Sequence, residues 1–429
     1  MTLTRLLIGS LVLFTSSNLA LARGENDARE LAACSNSFGI NLYQHLATGP
    51  GNVFISPHSM HAVLSMTLLG AKGPTAEQIA SVLTLVTMEH LPAQDGLPAP
   101  WIKKLMPEMI QAYPLLLGGT PNMAGINPRE DDKDRGFQLK TVNTVWAQKG
   151  YPFRKEYLDS LKGTFDSGLR EVDFVQDPEG SRTTINAWVQ EETKDKIKDL
   201  LPKGIIDQLT RLVLTNAVYF KADWISPFAK EATKDAPFTL ADGKSVDVPT
   251  MHQAAHFQYF ENVAVQGVTL PYQGKQVSMT IVLPRKAAGL AEVEKDLTAD
   301  GLGNWIKDAK RRKVVLALPR FKFESSYDMI PPLKKLGMVD AFVPGKADFS
   351  GIDGTRELYV TAVVHKTFVA VDEKGTEAAA ATAVVIGLRS APMPEETVEF
   401  KADHPFMFVI RHEPTGTILF MGRMTDPTE

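Results

Sequence analysis

The chain of 429 residues holds one cysteine, Cys34, so no internal disulfide can form. The core must hold through buried apolar side chains alone, whatever the redox state of its compartment. Leu31-Ala32-Ala33-Cys34 has the outline of a lipid-attachment box. Arg23, Glu25, Asp27, Arg29 and Glu30 separate it from the apolar run upstream, so a buried helix cysteine is expected instead. Excess charge is scarce too: 46 Lys and Arg against 50 Asp and Glu leave a net of −4. That supplies no broad basic field and argues against nucleic acid as a partner. The short basic runs Lys103-Lys104 and Lys310-Arg311-Arg312-Lys313 read as solvated faces. No Asn-x-Ser/Thr sequon occurs, so N-glycosylation is not expected.

Enzyme signatures are also missing. There is no Gly-x-Ser-x-Gly elbow, no Ser followed three residues later by Lys, and no His-Glu-x-x-His zinc motif, since His412-Glu413 runs into Pro414-Thr415-Gly416. Gly243-Lys244-Ser245 imitates the end of a phosphate loop but lacks the earlier glycine, where Phe238 stands, and reads as a hairpin turn. His252 and His256 could share a metal only on a helix, and the alternation around them indicates a strand. His58 and His61, near Ser56 and Ser59, are expected in a structural polar network rather than a nucleophile–base pair. No metal and no cofactor is expected.

Residues 1–22 read as a secretory leader: Arg5, an apolar run from Leu6 to Phe14, and Ala20-Leu21-Ala22 as a cleavage site before Arg23. The run is too short to anchor the chain in a bilayer, and no other apolar run is long enough to span one. A protein secreted or delivered to the periplasm is expected, with no membrane partner.

Helices are expected over 27–46, from Ser56 to Leu69 with Pro57 in the first turn, and from Ser181 to Leu201. Residues 118–136 read as a loop. Strands are expected at 52–55, 140–147, 212–220, 277–283, 314–318, 406–410 and 418–421. Helices crowd the first half and strands the second, which is an α+β pattern.

The most informative stretch runs from Asp372 to Ile386. It begins charged, becomes small and uncharged through Ala378 to Ala381, and ends β-branched. Alternate residues Thr376, Ala378, Ala380, Thr382, Val384, Ile386 and Leu388 carry no charge and no proline, so that face suits a sheet interior. An alanine-rich helix or linker fits the pattern equally well.

Glu373-Lys374-Gly375-Thr376-Glu377-Ala378-Ala379-Ala380 resembles the hinge of an inhibitory serpin's reactive-centre loop. Asn52 to Ser59 with Leu69 to Thr75, Leu214 to Trp224, Asp403-His404-Pro405-Phe406 and Gly416 to Arg423 resemble other serpin segments, in serpin order over residues 30–427. The resemblance implies a single α+β domain with a large central mixed sheet, smaller sheets, surrounding helices and an exposed loop over about 373–398. It further implies a monomer, not an enzyme, that traps a serine protease covalently after loop cleavage and insertion. The reactive bond, sixteen positions after Glu373, is Arg389–Ser390, which suits a trypsin-like target; a register at Leu388 would suit a chymotrypsin-like one. By the same resemblance the hinge is Glu373, Gly375, Thr376, Glu377 and Ala378, Ala379, Ala380 and Ala381. The breach is Trp224, Arg320 and Glu373, and the shutter Ser56, Ser59, Asn216 and His365. A non-inhibitory serpin, a carrier or chaperone, is the alternative; charge or proline at the inward hinge positions would favour it, and neither occurs.

Overall fold

The computed structural model describes residues 28–85, 137–165, 169–376 and 396–429; the leader at 1–22, the loop expected at 118–136 and the segment 377–395 lie outside them. Leu31, Phe38 and Leu42 recur at helical spacing and are buried on helix α1 (28–46), which also buries the free Cys34. Strand β1 (Val53–Ile55) leads into α2 (Pro57–Leu68). Ser56 caps α2, its Oγ accepting the Ser59 amide at 3.3 Å, and proline opens the first turn. Every residue of α2 is buried, because the helix packs against strands of both sheets described below. Helix α3 (Gly73–Val82) follows.

Next come β2 (Phe137–Gln148), α4 (Lys155–Phe165), β3 (Leu169–Val172), α5 (Pro178–Glu192) and β4 (Leu212–Asp223). The helix expected to reach Leu201 stops at Glu192. Lys194 and Asp195 take left-handed conformations (φ 53° and 61°), and Asn186 bonds both the amide (2.8 Å) and the carbonyl (3.0 Å) of Leu201. The residues after α5 therefore fold back along it. The rest of the chain supplies β5 (Lys234–Thr239), β6 (Ser245–Glu261), β7 (Val265–Pro271), β8 (Val277–Pro284), α6 (Leu290–Lys295), α7 (Ala299–Lys307), β9 (Lys310–Pro319) and β10 (Phe321–Asp328). It ends with α8 (Ile330–Leu336), α9 (Ser350–Asp353), β11 (Ala362–Val371), β12 (Gly375–Thr376), β13 (Thr397–Lys401), β14 (Phe406–His412) and β15 (Thr417–Met424).

A nine-stranded sheet runs β1-β15-β14-β8-β7-β6-β9-β13, with β5 attached to β6. Strands β8 and β15 are buried on both faces and are predominantly apolar, with Ser278, Thr280, Thr417 and Arg423 as their polar members. Phe54 stacks on Phe420 (5.1 Å) and Phe408 (5.7 Å) at the junction with β1. The second sheet, with six strands, runs β10-β11-β12-β4-β2-β3 and is mixed: β11–β4 and β2–β3 are parallel, the other pairs antiparallel. Strands β11 and β4 pair directly from Ala362↔Val213 to Phe368↔Tyr219. Beyond that point β12 lies between them. The fold is α+β.

Candidate functional site

The fork between β11 and β4 gathers much of the unusual chemistry. Asp372 builds a tight turn after β11: its Oδ1 accepts the amides of Lys374 (2.9 Å) and Gly375 (3.3 Å), and its own N–H donates to the Gly375 carbonyl at 2.9 Å. The turn lays Gly375 opposite Asp223, and Thr376 between Ala222 and Val371. A Cβ on residue 375 would stand 2.0 Å from the Ala222 carbonyl oxygen, so only glycine lets the backbones approach. Thr376 is 1% exposed, and its hydroxyl lies 2.6 Å from that of Tyr272. Tyr272 stacks on Trp224 at 4.3 Å and meets Phe220 edge-on at 5.3 Å.

Glu373 is also buried. Its Oε1 accepts from the Thr233 hydroxyl at 2.8 Å, and its Oε2 lies 3.7 Å from Nε of Arg320. That pair is long and its guanidinium half-exposed, so it contributes little by itself. Trp224 binds the turn through its backbone N–H to the Lys374 carbonyl (2.7 Å) and its indole N–H to the Asp372 carbonyl (3.0 Å). Trp224, Arg320 and Glu373 thus meet at one end of the β11–β4 seam. The expectation that an exposed loop begins at Glu373 is corrected: residues 373 to 376 are drawn in by these bonds. Glu377, Ala378, Ala379, Ala380, Ala381, Arg389 and Ser390 lie outside the described residues.

A second polar cluster underlies the same seam further down. His365, Asn216 and Asn143 stand opposite one another across β11, β4 and β2. The Ser56 amide donates to Nε2 of His365 at 3.0 Å, so the ring's proton sits on Nδ1 and is donated to Oδ1 of Asn216. Nδ2 of Asn216 donates to the Ser59 hydroxyl (2.7 Å) and to Oδ1 of Asn143. Ser59 donates to Asn143 at 2.9 Å, and Nδ2 of Asn143 donates to the Ser59 carbonyl at 3.2 Å. The Ser56 hydroxyl donates to the Leu419 carbonyl at 2.7 Å, which ties the cluster to the other sheet. Burial lowers the His365 pKa to about 3 and keeps the ring neutral.

A family model described as serpin (serine protease inhibitor) matches residues 33–427. The chain belongs to the serpin family. It is 39% identical to a leukocyte elastase inhibitor of Equus caballus, over 93% of this chain and 100% of that protein. It is 41% identical to an uncharacterized serpin-like protein of Thermococcus kodakarensis, over 94% of this chain and 88% of that one. The native structure of the thermophilic serpin tengpin superposes with a TM-score of 0.77 at 29% identity, covering 92% of this chain and 94% of that chain.

In this serpin the remaining polar candidates are structural. His252 and His256 lie four apart on β6, about 13 Å along a strand, too far to share an ion. Among the described residues no group of three or more His, Cys, Asp or Glu could hold a metal, and no helix is long and apolar enough to cross a membrane. Burial lowers the pKa of His58 to about 4, assisted by His412, and that of His61 to about 3. Gly243 (φ 83°) turns the β5–β6 hairpin. Asn143, Tyr272 and Thr233 are the members that sequence reasoning missed. Asn143 sits in an alternating strand beside two threonines, Tyr272 in a Pro-Tyr-Gln-Gly turn, and nothing local marks either.

Proposed function

We propose that this serpin is a suicide-substrate inhibitor of a trypsin-like serine protease. The protease serine attacks the Arg389 carbonyl, the peptide C–N bond breaks, and the Ser390 amine leaves with a proton. The resulting acyl ester is trapped as the chain beyond Thr376 enters the sheet between β11 and β4. Water attacking that ester would instead free the protease, so insertion has to outrun hydrolysis.

One observation carries the reading. Thr376 already occupies the first rung between two strands that remain joined below it. Small, uncharged Ala378 to Ala381 lower the steric and desolvation barrier to the next rungs. Arg389 supplies the cation that an aspartate-bearing pocket binds. The horse relative, by its name, acts on an elastase; in this reading Arg389 directs this chain to a trypsin-like protease instead. Residues 1–22 direct the chain to the periplasm or the exterior in this reading, and it acts as a monomer without cofactor.

Incubation with trypsin tests it. The expected product is an SDS-stable complex with a released fragment that starts at Ser390, and nicked protein far more heat-resistant than intact. Cleavage with neither complex nor added heat resistance would favour a carrier or chaperone. N-terminal sequencing of exported protein should start at Arg23.

A further inference from the structure

We propose that Tyr272 is a positioning residue that lays down the first rung of the inserting strand before a protease arrives. The inference rests on the inhibitory reading above and adds a residue to it.

Tyr272 is wholly buried and held from several sides. It lies flat on Trp224, at an interplanar angle of 11°, and meets the edge of Phe220. Its backbone N–H donates to the Val277 carbonyl at 3.0 Å, and it forms a β-bridge with Trp224. The ring has no room to swing, so its hydroxyl is a fixed point 2.6 Å from Oγ1 of Thr376. Burial raises the phenol's pKa well above its usual range, so the group stays protonated and bonds as a neutral hydroxyl.

Thr376 needs that partner. Its backbone bridges Ala222 and Val371, which places its side chain in the sheet interior, away from water. A buried hydroxyl without a partner is costly, and the turn's other named bonds fall on residues 372 to 375. With the Tyr272–Thr376 bond made, insertion extends a strand already begun. Without it the rung is expelled, and the acyl-enzyme must wait for the strand to be started before it can be extended. Tyr272 thereby biases the contest between insertion and hydrolysis, while touching neither the scissile bond nor the protease.

The test is a double-mutant cycle with Tyr272→Phe, Thr376→Val and the two combined, each mixed with trypsin. The readout is the number of inhibitor molecules cleaved per protease trapped. Each single variant strands one buried hydroxyl and should raise that number about tenfold, equivalent to ~1.4 kcal/mol in the branching barrier. The double variant removes both hydroxyls and should return to within about threefold of wild type. Singles that match wild type, or a Tyr272→Phe defect with no rescue in the double, overturn the inference. If wild type forms no complex, the readout becomes the rate at which subtilisin-nicked protein gains heat resistance, expected to be about tenfold slower in the singles. Gain at equal rates overturns the inference alone; no gain in wild type overturns the inhibitory reading and the inference with it.

Discussion

His365 and Asn216 face each other across the seam between β11 and β4, joined by a hydrogen bond from the imidazole Nδ1–H to the amide oxygen. Parting the strands breaks that bond. Ser56 and Ser59 at the start of α2 hold the row from below, so the seam is latched by polar groups buried away from solvent.

Asn143 is the test of that latch. Asn143→Ala takes the acceptor from the Ser59 hydroxyl and the second of two acceptors from the Asn216 amide in a buried site, which should cost about 2–3 kcal/mol. Thr141→Ala, on the same strand outside the row, should cost less. Urea unfolding of both variants decides it, and equal midpoints would mean that the row does not hold the seam.

Acid should weaken the native protein well above the carboxylate range. His58, His61 and His365 have native pKa values of about 4, 3 and 3, against about 6.5 unfolded. Between those limits the unfolded chain binds protons that the native chain refuses, so stability falls as pH drops below 6.5, by up to ~1.4 kcal/mol per unit per histidine. His404 acts in the opposite sense. Burial lowers its pKa, but bonds to Asp403 and the Pro284 carbonyl outweigh that and raise it. Three groups against one predict a steady fall in melting temperature from pH 7 to 5. A flat or rising profile would refute this.

The sequence carried the strand runs and the turn into Gly375-Thr376 well, because both are local. Leu212 to Phe220 is a continuous apolar run, and Gly375-Thr376 follows a charged turn. What it did not carry depends on distant partners. Tyr272 acquires its role from a residue 104 positions away, and Asn143 from one 84 positions away. The early end of α5 is of the same kind, since Asn186 fixes Leu201 through the fold-back and not through helical periodicity. The burial of Glu373, Gly375 and Thr376 in the native chain escaped prediction because it is decided by the gap between β11 and β4.

Gly375 makes that gap usable. Gly375→Ala would press a methyl group against Ala222 and Asp223 backbone atoms that cannot move without unpairing β4. A loss of about 1–3 kcal/mol is expected by thermal denaturation. Gly49→Ala, where a Cβ meets nothing within 4 Å, is the matched control.

The bait register is settled by two substitutions. If Arg389 fills the protease pocket, Arg389→Ala removes one partner of a buried charge pair, a loss of ~2–5 kcal/mol, so association with trypsin should slow by about thirtyfold or more. Leu388→Ala should leave trypsin trapping within a few-fold of wild type, because its side chain is not the one read by the aspartate. A register one residue earlier reverses the pattern: Leu388→Ala would abolish trapping of chymotrypsin, and Arg389→Ala would spare it. The fragment released by each protease, sequenced from its new N-terminus, gives the same answer independently, Ser390 in the first case and Arg389 in the second.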